Sequence, residues 1–360
     1  MNAFPNSRRK IQNAPDVAYI LDPRFPGGTS SAVAQELKVI AQSVRPKIFG
    51  FSSGLFKGKQ VAPQLELALR ELGLSIEWDP PSIAADIVIL HNPAFLKFQS
   101  SLDVRVVAKR LYVVAHENFN RPGGASSFDV NNCLGLIDRS VLAMEKFIAP
   151  ISELNRSTVD IWMAGSEQAN NWQVLQGNWF NICDFEVQEP CDAPRDRRGR
   201  LSRAGYEKFP PLNDLELCFP KHAECNIMLG ADCLLDVAAD YPHWDILQFA
   251  SIGVPDFFEK IDFFVYYIAP TLQESFGRVV VEAIAAGKLV ITDAATASGF
   301  DGAVIASNAQ NVSGVIAHYI DNPAEYKNQV LLAQSVLGRF SGPEFDDFFE
   351  KNVLRIEGST

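Results

Sequence analysis

The chain has 360 residues, of which 47% are hydrophobic and 21% charged, and its formal net charge at pH 7 is −11. This composition is ordinary for a globular protein, excludes a mainly disordered chain, and suits two domains of usual size. The acidic balance argues against non-specific nucleic-acid binding, so no nucleic-acid partner is expected.

The charge differs between the two parts of the sequence. Residues 1 to 150 hold 17 Lys and Arg against 13 Asp and Glu, hence +4, whereas the remainder holds 15 against 30, hence −15. The first residues lack the apolar core of a secretion signal, and no apolar run approaches membrane-spanning length. We therefore expect a cytoplasmic location. The basic half indicates either a peripheral contact at the inner membrane face or an ordinary solvated surface.

The N-terminal half alternates strand-like apolar runs with helix-like segments. A short strand at 147–150 and a helix capped by Ser152 are predicted at its end. This rhythm predicts a parallel sheet covered by helices. The earlier strands are predicted at 17–21, 48–52, 86–90 and 111–115, and the earlier helices at 32–44, 61–72 and 131–145.

A polar, proline-bearing stretch at about 188–200 interrupts this pattern and is predicted to lead into a second domain. Strands are then predicted at 225–229, 246–249, 263–268 and 289–292, and a last helix at 343–356. The predicted fold class is α/β, with two Rossmann-like doubly wound parallel sheets facing each other across a cleft. The predicted domains are an N-terminal domain at 1–185 and a C-terminal domain at 186–342, followed by a C-terminal helix at 343–360.

The segment 270–292, PTLQESFGRVVVEAIAAGKLVIT, is the most informative part of the sequence. It places Glu274 at a predicted helix entry and Glu282 about two turns further along that helix. Two carboxylates at this separation can accept hydrogen bonds from hydroxyls at opposite ends of an extended ligand. The alternative is that one glutamate decorates a helix start and the other forms a surface ion pair.

The residues between the glutamates suit an anion site. Ser275 and Gly277 favour a helix entry, and Gly287 fits the left-handed residue that ends such a helix. The backbone N–H groups of Ser275, Phe276 and Gly277 at the predicted helix start can then receive phosphate or sugar oxygens.

The stretch DFFVYYIAPTLQESFGRVVVEAIAAGKLVIT resembles the donor-site signature of family-4-type glycosyltransferases with the GT-B fold (glycosyl transferases group 1). That signature is a glutamate, a small residue, Phe-Gly, and then Glu-Ala in a helix rich in small residues. The resemblance implies that Glu274 touches hydroxyls of the transferred sugar and that Glu282 holds the ribose. The donor set further includes Ser275, Phe276, Gly277 and Arg278, although Ser275 stands where a glycine is commoner.

The densest basic cluster follows the predicted linker. Arginine can bind phosphate through a planar fork and lysine as a point charge, so together they can neutralise a diphosphate without a metal. The resemblance assigns this role to Arg200 and Lys208, with Arg203 as a substitute, whereas a solvated charge run is the alternative. The cluster consists of Arg195, Arg197, Arg198, Arg200, Arg203 and Lys208.

A glycine pair follows the first predicted strand in LDPRFPGGTSS. Gly27 and Gly28 allow close backbone approach, and Ser30 or Ser31 can cap the helix that follows. The segment lacks the GxGxxG dinucleotide pattern. The resemblance implies that this loop closes over the donor phosphate, and an ordinary turn is the alternative.

Three further positions complete the predicted site. His91 and His116 each end a predicted strand, so both are expected in the cleft, and the resemblance favours His116 for holding a sugar hydroxyl or orienting an acceptor. The alternative for either is an ordinary loop histidine. Ile252 lies in FASIGV, where the resemblance implies that main-chain atoms cradle the base.

The leading hypothesis is a glycosyltransferase that moves a sugar from a nucleotide diphosphate sugar to an acceptor hydroxyl; retention of configuration comes from the resemblance alone. The expected acceptor is a carbohydrate, a lipid-linked sugar or a small molecule, as in surface polysaccharide or glycolipid synthesis. We expect no metal site, because no Asp-x-Asp motif is evident, and no cofactor besides the donor substrate. The resemblance also implies that the C-terminal helix crosses back to the first domain, although a simple capping helix fits equally. The alternatives are a non-catalytic nucleotide-sugar-binding protein and, less well supported, a nicotinamide oxidoreductase.

Overall fold

The computed structural model describes residues 15–25 and 27–355 and divides the chain into two compact units. Unit 1 comprises the described residues of Met1–Asn120, Gly124–Ile182 and Phe340–Thr360. Unit 2 comprises Arg121–Gly123 and Cys183–Arg339. Across the described ranges, no helix is both long enough and apolar enough to cross a membrane.

Unit 1 is built around a seven-stranded parallel sheet. Its strands are β1 (Val17–Leu21), β2 (Lys47–Gly50), β3 (Ile76–Trp78), β4 (Ser82–His91), β5 (Arg105–Ala115), β6 (Val141–Pro150) and β7 (Gln173–Val174). They lie in the order β3-β2-β1-β4-β5-β6-β7, and each neighbouring pair is parallel. Its first helices are α1 (Gly28–Ile40), α2 (Pro63–Leu72), α3 (Val130–Ser140) and α4 (Glu153–Gly165).

The apolar sequence of β1 explains its central position. All five of its residues are buried, and it pairs with β2 on one side and β4 on the other. A strand with apolar side chains on both faces is stable only where helices cover both faces of the sheet. The predicted strand at 17–21 is therefore confirmed, as are the strands predicted around 48–52, 86–90 and 111–115, with shifted bounds.

The predicted helix at 131–145 is wrong in its second half. Helix α3 ends at Ser140, and Val141 begins β6, where it pairs with Val106. The apolar residues of β6 fit a helical stripe as well as a strand, and only the pairing of β6 with β5 distinguishes the two. The strand predicted at 147–150 is the last part of β6, and Ser152 caps α4 by accepting a hydrogen bond from the backbone N–H of Asn155 at 3.0 Å.

Unit 2 is built around a six-stranded parallel sheet. Its strands are β8 (Arg197–Leu201), β9 (Cys225–Leu229), β10 (Asp245–Leu247), β11 (Phe263–Tyr266), β12 (Leu289–Thr292) and β13 (Ile305–Ala306). They lie in the order β10-β9-β8-β11-β12-β13. Its helices are α5 (Leu212–Cys218), α6 (Val254–Glu259), α7 (Arg278–Ala285), α8 (Ala294–Ser298), α9 (Val312–Asp321) and α10 (Pro323–Ser335).

Strand β8 contradicts the prediction of a polar linker through residue 200. It lies inside the sheet, paired with β9 and β11. Arg197 donates two hydrogen bonds of 2.7 Å to the carboxylate of Asp262, and Arg198 donates to Asp196 at 2.6 and 3.0 Å. Because carboxylates neutralise these arginines, they are tolerated in a covered strand that a hydrophobicity pattern does not detect.

The C-terminal segment belongs to unit 1. Helix α11 (Gly342–Phe349) continues into a π-helical turn at Glu350–Leu354. Phe345, Phe348 and Phe349 each place their ring centroid 5.9 Å from that of the buried Trp179 in edge contacts. Aromatic packing of this kind fixes both the helix and the indole.

Candidate functional site

Residues predicted for donor binding converge on one edge of the unit 2 sheet. Its strands are parallel, so their carboxyl ends lie at the same edge, where ligands of such sheets bind. Lys208 follows β8, Ile252 follows β10, and Glu274 follows β11. These three loops supply the predicted residues from separate parts of the sequence.

Glu274, Lys208 and Tyr266 form a compact group that we call the Glu274 cluster. The Nζ atom of Lys208 lies 2.5 Å from Glu274 Oε1, and the Tyr266 hydroxyl donates to the same oxygen at 2.6 Å. Glu274 and Tyr266 are buried, while Lys208 is half-buried. The cluster therefore holds a carboxylate and an ammonium group with little solvent around them.

The environment keeps Glu274 ionised. Burial raises the pKa of Glu274, but the charge and hydrogen bond of Lys208, the Tyr266 hydroxyl and the charge of Arg203 together outweigh it, so the pKa lies below the ordinary 4.5. Burial and the carboxylate of Glu274 raise the pKa of Tyr266 well above its usual value. Tyr266 is thus a protonated donor and Glu274 an acceptor at neutral pH.

Arg200 lies next to the Glu274 cluster, with its guanidinium carbon 5.6 Å from the ring centroid of Tyr266, and it is completely buried. Its guanidinium donates to the carbonyl of Tyr267 at 3.0 Å and to the carbonyl of Lys208, and it lies 3.8 Å from the ring centroid of Phe209. Burial lowers the pKa of Arg200 to about 10, although nearby tyrosine, cysteine and Glu274 side chains oppose that effect. Through these contacts Arg200 holds the main chain of Lys208. A direct contact between Arg200 and phosphate stays a prediction.

The loop after Glu274 enters helix α7 later than predicted. The helix begins at Arg278 rather than at Ser275, and Gly277 is its N-cap with a left-handed φ of +82°. A Cβ at Gly277 would lie 3.2 Å from the ring of Phe300, so glycine meets both a conformational and a steric demand. The predicted left-handed Gly287 after the helix is confirmed, with φ +72°.

Glu282 and Arg278 lie one turn apart on α7. Glu282 is half-buried, and burial raises its pKa while the charge of Arg278 lowers it in part. The Arg278 guanidinium lies 5.0 Å from the ring centroid of Phe185, with Nη1 3.8 Å from the Cys183 sulfur. A carboxylate whose charge is disfavoured by burial gains from a ligand that donates hydrogen bonds.

The remaining predicted residues of unit 2 lie at its surface. Arg203 is 61% exposed and lies 3.9 Å from Glu207, so its guanidinium can reorient. Ile252 is half-buried in the loop between β10 and α6, two residues after Ala250, whose φ is +59°. The arginine predicted as a substitute for Arg200 is therefore the more accessible of the two.

Gly27 and Gly28 lie at the start of α1 in unit 1. Gly27 is the N-cap without a side-chain hydrogen bond, and its Cβ would lie 2.5 Å from the ring of Phe25. Gly28 is exposed and would have no heavy atom within 4 Å of a Cβ. The predicted cap at Ser30 or Ser31 is wrong, because the helix starts earlier and the Ser30 hydroxyl donates to the Phe25 carbonyl at 2.7 Å.

The two predicted histidines of unit 1 contact each other. His91 ends β4 and is buried, and its Nδ1 lies 3.0 Å from Nε2 of the half-buried His116, which follows β5. On the other side of the ring, His91 Nε2 lies 3.5 Å from Oε1 of the buried Glu36. Burial and the neighbouring His91 hold the pKa of His116 well below 6.5, so His116 is neutral at pH 7.

Sequence reasoning did not single out Tyr266 and Glu36, which contact the predicted residues Glu274 and His91. Glu36 carried a usable signal, because it lies in the apolar stripe of α1 between Val33 and Leu37 and is buried there. A lone carboxylate on the covered face of a helix requires partners. Tyr266 carried a weaker signal as the last residue of β11, at the start of the loop that leads to ESFG.

Comparisons with known proteins identify structures of the same architecture. An Anabaena protein, HepE, in complex with UDP and glucose is 16% identical, with 94% of this chain and 98% of that chain covered and a TM-score of 0.64. A UDP-forming α,α-trehalose-phosphate synthase from Burkholderia xenovorans is 11% identical, with 95% of this chain and 99% of that chain covered and a TM-score of 0.58. The apo form of the lipopolysaccharide outer core galactosyltransferase WaaB is 11% identical, with 94% of this chain and 99% of that chain covered and a TM-score of 0.55. No family model and no curated protein sequence matches the chain.

Proposed function

We propose that this chain, which has the predicted GT-B fold with two Rossmann-like parallel sheets, is a glycosyltransferase that uses a nucleotide diphosphate sugar. The observation that carries the proposal is the Glu274 cluster at the carboxyl edge of the unit 2 sheet. A sugar nucleotide offers hydroxyls that need acceptors and a diphosphate that needs cations. Glu274 supplies the former and Lys208 the latter.

Lys208 can serve a diphosphate without leaving Glu274. An ammonium group has three N–H donors, and the contact with Glu274 occupies one of them. We assign the others to diphosphate oxygens, together with the backbone N–H groups near Gly277 at the start of α7. Arg200 acts indirectly in this proposal by holding the carbonyl of Lys208.

The proposed reaction retains the configuration at the anomeric carbon. The acceptor oxygen bonds to that carbon on the face from which the diphosphate departs, and the leaving diphosphate oxygen takes the acceptor proton. Lys208 stabilises the negative charge that develops on the diphosphate, a contribution typically of about 10²-fold in turnover. In unit 1 we assign His116 to a sugar or acceptor hydroxyl and the loop at Gly27 and Gly28 to the donor phosphate.

The proposed donor is a UDP-sugar, since HepE was crystallised with UDP and glucose. The proposed acceptor is a carbohydrate, a lipid-linked sugar or a small molecule. To test the activity, the protein is incubated with UDP-, GDP-, ADP-, CMP- and dTDP-sugars and an acceptor panel while nucleotide release and glycosylated product are measured. Product formation supports the proposal, whereas donor binding without transfer or hydrolysis supports the non-catalytic alternative.

Glu282→Gln is expected to weaken donor binding about tenfold or more while stabilising the free protein. A hydrogen bond to a charged acceptor contributes about 1.5–3 kcal/mol, so an amide binds the ribose less well. Because burial raises the folded-state pKa of Glu282, its ionised form opposes folding at pH 7.5, and glutamine removes that cost.

Thermal unfolding at pH 7.5 with and without UDP-glucose measures both effects of Glu282→Gln. A ligand at a hundred times its dissociation constant adds about 2.7 kcal/mol to the unfolding free energy, so a tenfold affinity loss is readily detected. Glu186→Gln is a control on the segment leading to β8, because it exchanges the same groups at an exposed position. An unchanged ligand shift in Glu282→Gln would remove this glutamate from the site.

A further inference from the structure

A buried chain of polar side chains leads to His116 in unit 1. Glu36 of α1 is 3% exposed, its Oε1 accepts a hydrogen bond from the Tyr19 hydroxyl, and its Oε2 accepts from Trp179 Nε1 at 2.9 Å. His91 Nε2 lies 3.5 Å from Glu36 Oε1, and His91 Nδ1 lies 3.0 Å from His116 Nε2. Glu36, His91 and His116 thus lie in a row, which we call the histidine relay: the two rings are within hydrogen-bond distance, whereas the buried His91 Nε2 lies beside Glu36 without a hydrogen bond to it.

The contact between the rings restricts their protonation. Two ring nitrogens 3.0 Å apart must share one proton, because two lone pairs or two N–H groups would repel each other. A carboxylate beside His91 Nε2 favours a proton on that nitrogen, which leaves His91 Nδ1 as the acceptor. His116 then donates through Nε2–H, and its Nδ1 carries the lone pair.

The packing around His91 holds this arrangement in place. The Tyr19 ring stacks on His91 with centroids 5.4 Å apart, and the Trp179 ring meets it edge-on at 6.1 Å. The titratable groups that face His91 are Tyr19 from β1, Glu36 from α1 and His116 after β5. Trp179 adds an N–H donor to Glu36 and no charge.

We propose that Glu36 and His91 are positioning residues that hold His116 in its Nε2–H tautomer and share the proton that its Nδ1 takes up. When Nδ1 binds a proton, the Nε2 proton of His116 passes to His91 Nδ1. The positive charge then resides on His91 beside Glu36. The half-buried His116 thereby accepts a proton or a hydroxyl hydrogen without holding the charge itself.

Nitrogen-15 NMR of the side chains tests this relay directly, because the chain has only five histidines. In the unmodified protein at pH 7.5, both His91 and His116 are expected as Nε2–H tautomers. In Glu36→Gln, the pH at which the relay takes up its proton is expected to fall by about one unit, a tenfold loss of proton affinity. A relay in which either ring carries Nδ1–H at pH 7.5 overturns the proposal.

Tyr19→Phe is the matched control. It also removes a hydrogen bond to Glu36 Oε1, but it keeps the carboxylate and the relay, so proton affinity is expected to stay unchanged or rise. An equal fall in both variants would indicate general loosening of the core and overturn the proposal. His91→Asn is the second variant, because the asparagine amide oxygen can accept a hydrogen bond from His116 but does not take up a proton. The midpoint of the NMR titration is expected to fall in this variant as well.

The effect on turnover rests on the proposed function, whereas the NMR result does not. If transfer is measurable, the acid limb of kcat/KM is expected to shift in Glu36→Gln by the amount seen in the NMR titration. If transfer is undetectable in the unmodified protein, the proposed function fails and the relay is still judged by its titration. If the NMR titration midpoint shifts in Glu36→Gln but the acid limb of kcat/KM does not, the relay does not act in turnover.

Discussion

Lys208→Met is expected to reduce sugar transfer at least about 10²-fold and to lower the free energy of unfolding by roughly 3 kcal/mol. The loss of transfer follows from removing the cation assigned to the diphosphate. The loss of stability follows from leaving the buried carboxylate of Glu274 without its ammonium partner. Transfer is measured by product formation and stability by denaturant unfolding at pH 7.5.

The double variant Lys208→Met/Glu274→Gln separates the two effects. It replaces the ion pair with neutral side chains, so most of the lost stability is expected to return while transfer stays low. Lys327→Met is the control, because its pair with Asp192 at 2.7 Å is exposed and is expected to contribute less than about 1 kcal/mol. Transfer within a few-fold of normal in folded Lys208→Met would remove the site assignment.

The contribution of the pair to stability depends on pH in a defined direction. The folded-state pKa of Glu274 lies below its ordinary value of 4.5, so the unfolded chain binds the proton first as the pH falls. The pair therefore contributes fully above about pH 4.5, and its contribution is lost as the pH falls through the folded-state pKa. The stability difference between Lys208→Met and the unmodified protein is expected to shrink over that range.

Much of the sheet architecture followed from local sequence. Apolar runs such as 17–21, 225–229 and 289–292 are strands with the predicted bounds, because parallel strands covered on both faces need continuous apolar residues. Strand β8 escaped prediction because its arginines are neutralised by Asp196 and Asp262, and the latter lies 65 residues from Arg197. Such pairing is set by the tertiary fold and leaves no local periodicity.

The candidate site was predictable to a different degree at each residue. Glu274 was predicted from a motif and Lys208 from a basic cluster and its spacing, but their direct contact spans 66 residues and depends on β8 pairing with β11. The environment of Arg200 could not be predicted, since one of its carbonyl partners belongs to Tyr267, 67 residues away after β11, and the other to Lys208, eight residues later in the loop after β8. Sequence supplied the residue types, and strand order supplied their partners.

Arg200→Lys is expected to destabilise the protein by about 3 kcal/mol and to reduce transfer even though Arg200 contacts main-chain carbonyls. A guanidinium spans the carbonyls of Tyr267 and Lys208 at once, whereas an ammonium is a single point that cannot serve both. Each lost charge-assisted hydrogen bond costs about 1.5–3 kcal/mol. Lysine also loses the flat contact with Phe209. Denaturant unfolding measures the loss.

Kinetics distinguish this positioning role from a direct phosphate contact. If Arg200 only holds the Lys208 main chain, Arg200→Lys and Lys208→Met weaken the same step, and their combined effect on kcat is expected to be much smaller than the product of the single effects. If Arg200 and Lys208 instead contact the diphosphate independently, the effects of the two substitutions on kcat are expected to multiply. Arg195→Lys, at a 63% exposed position in the same unit, is the stability control and is expected to change the unfolding free energy by less than about 0.5 kcal/mol. If the effects on kcat multiply, Arg200 has the phosphate-binding role that the sequence predicted.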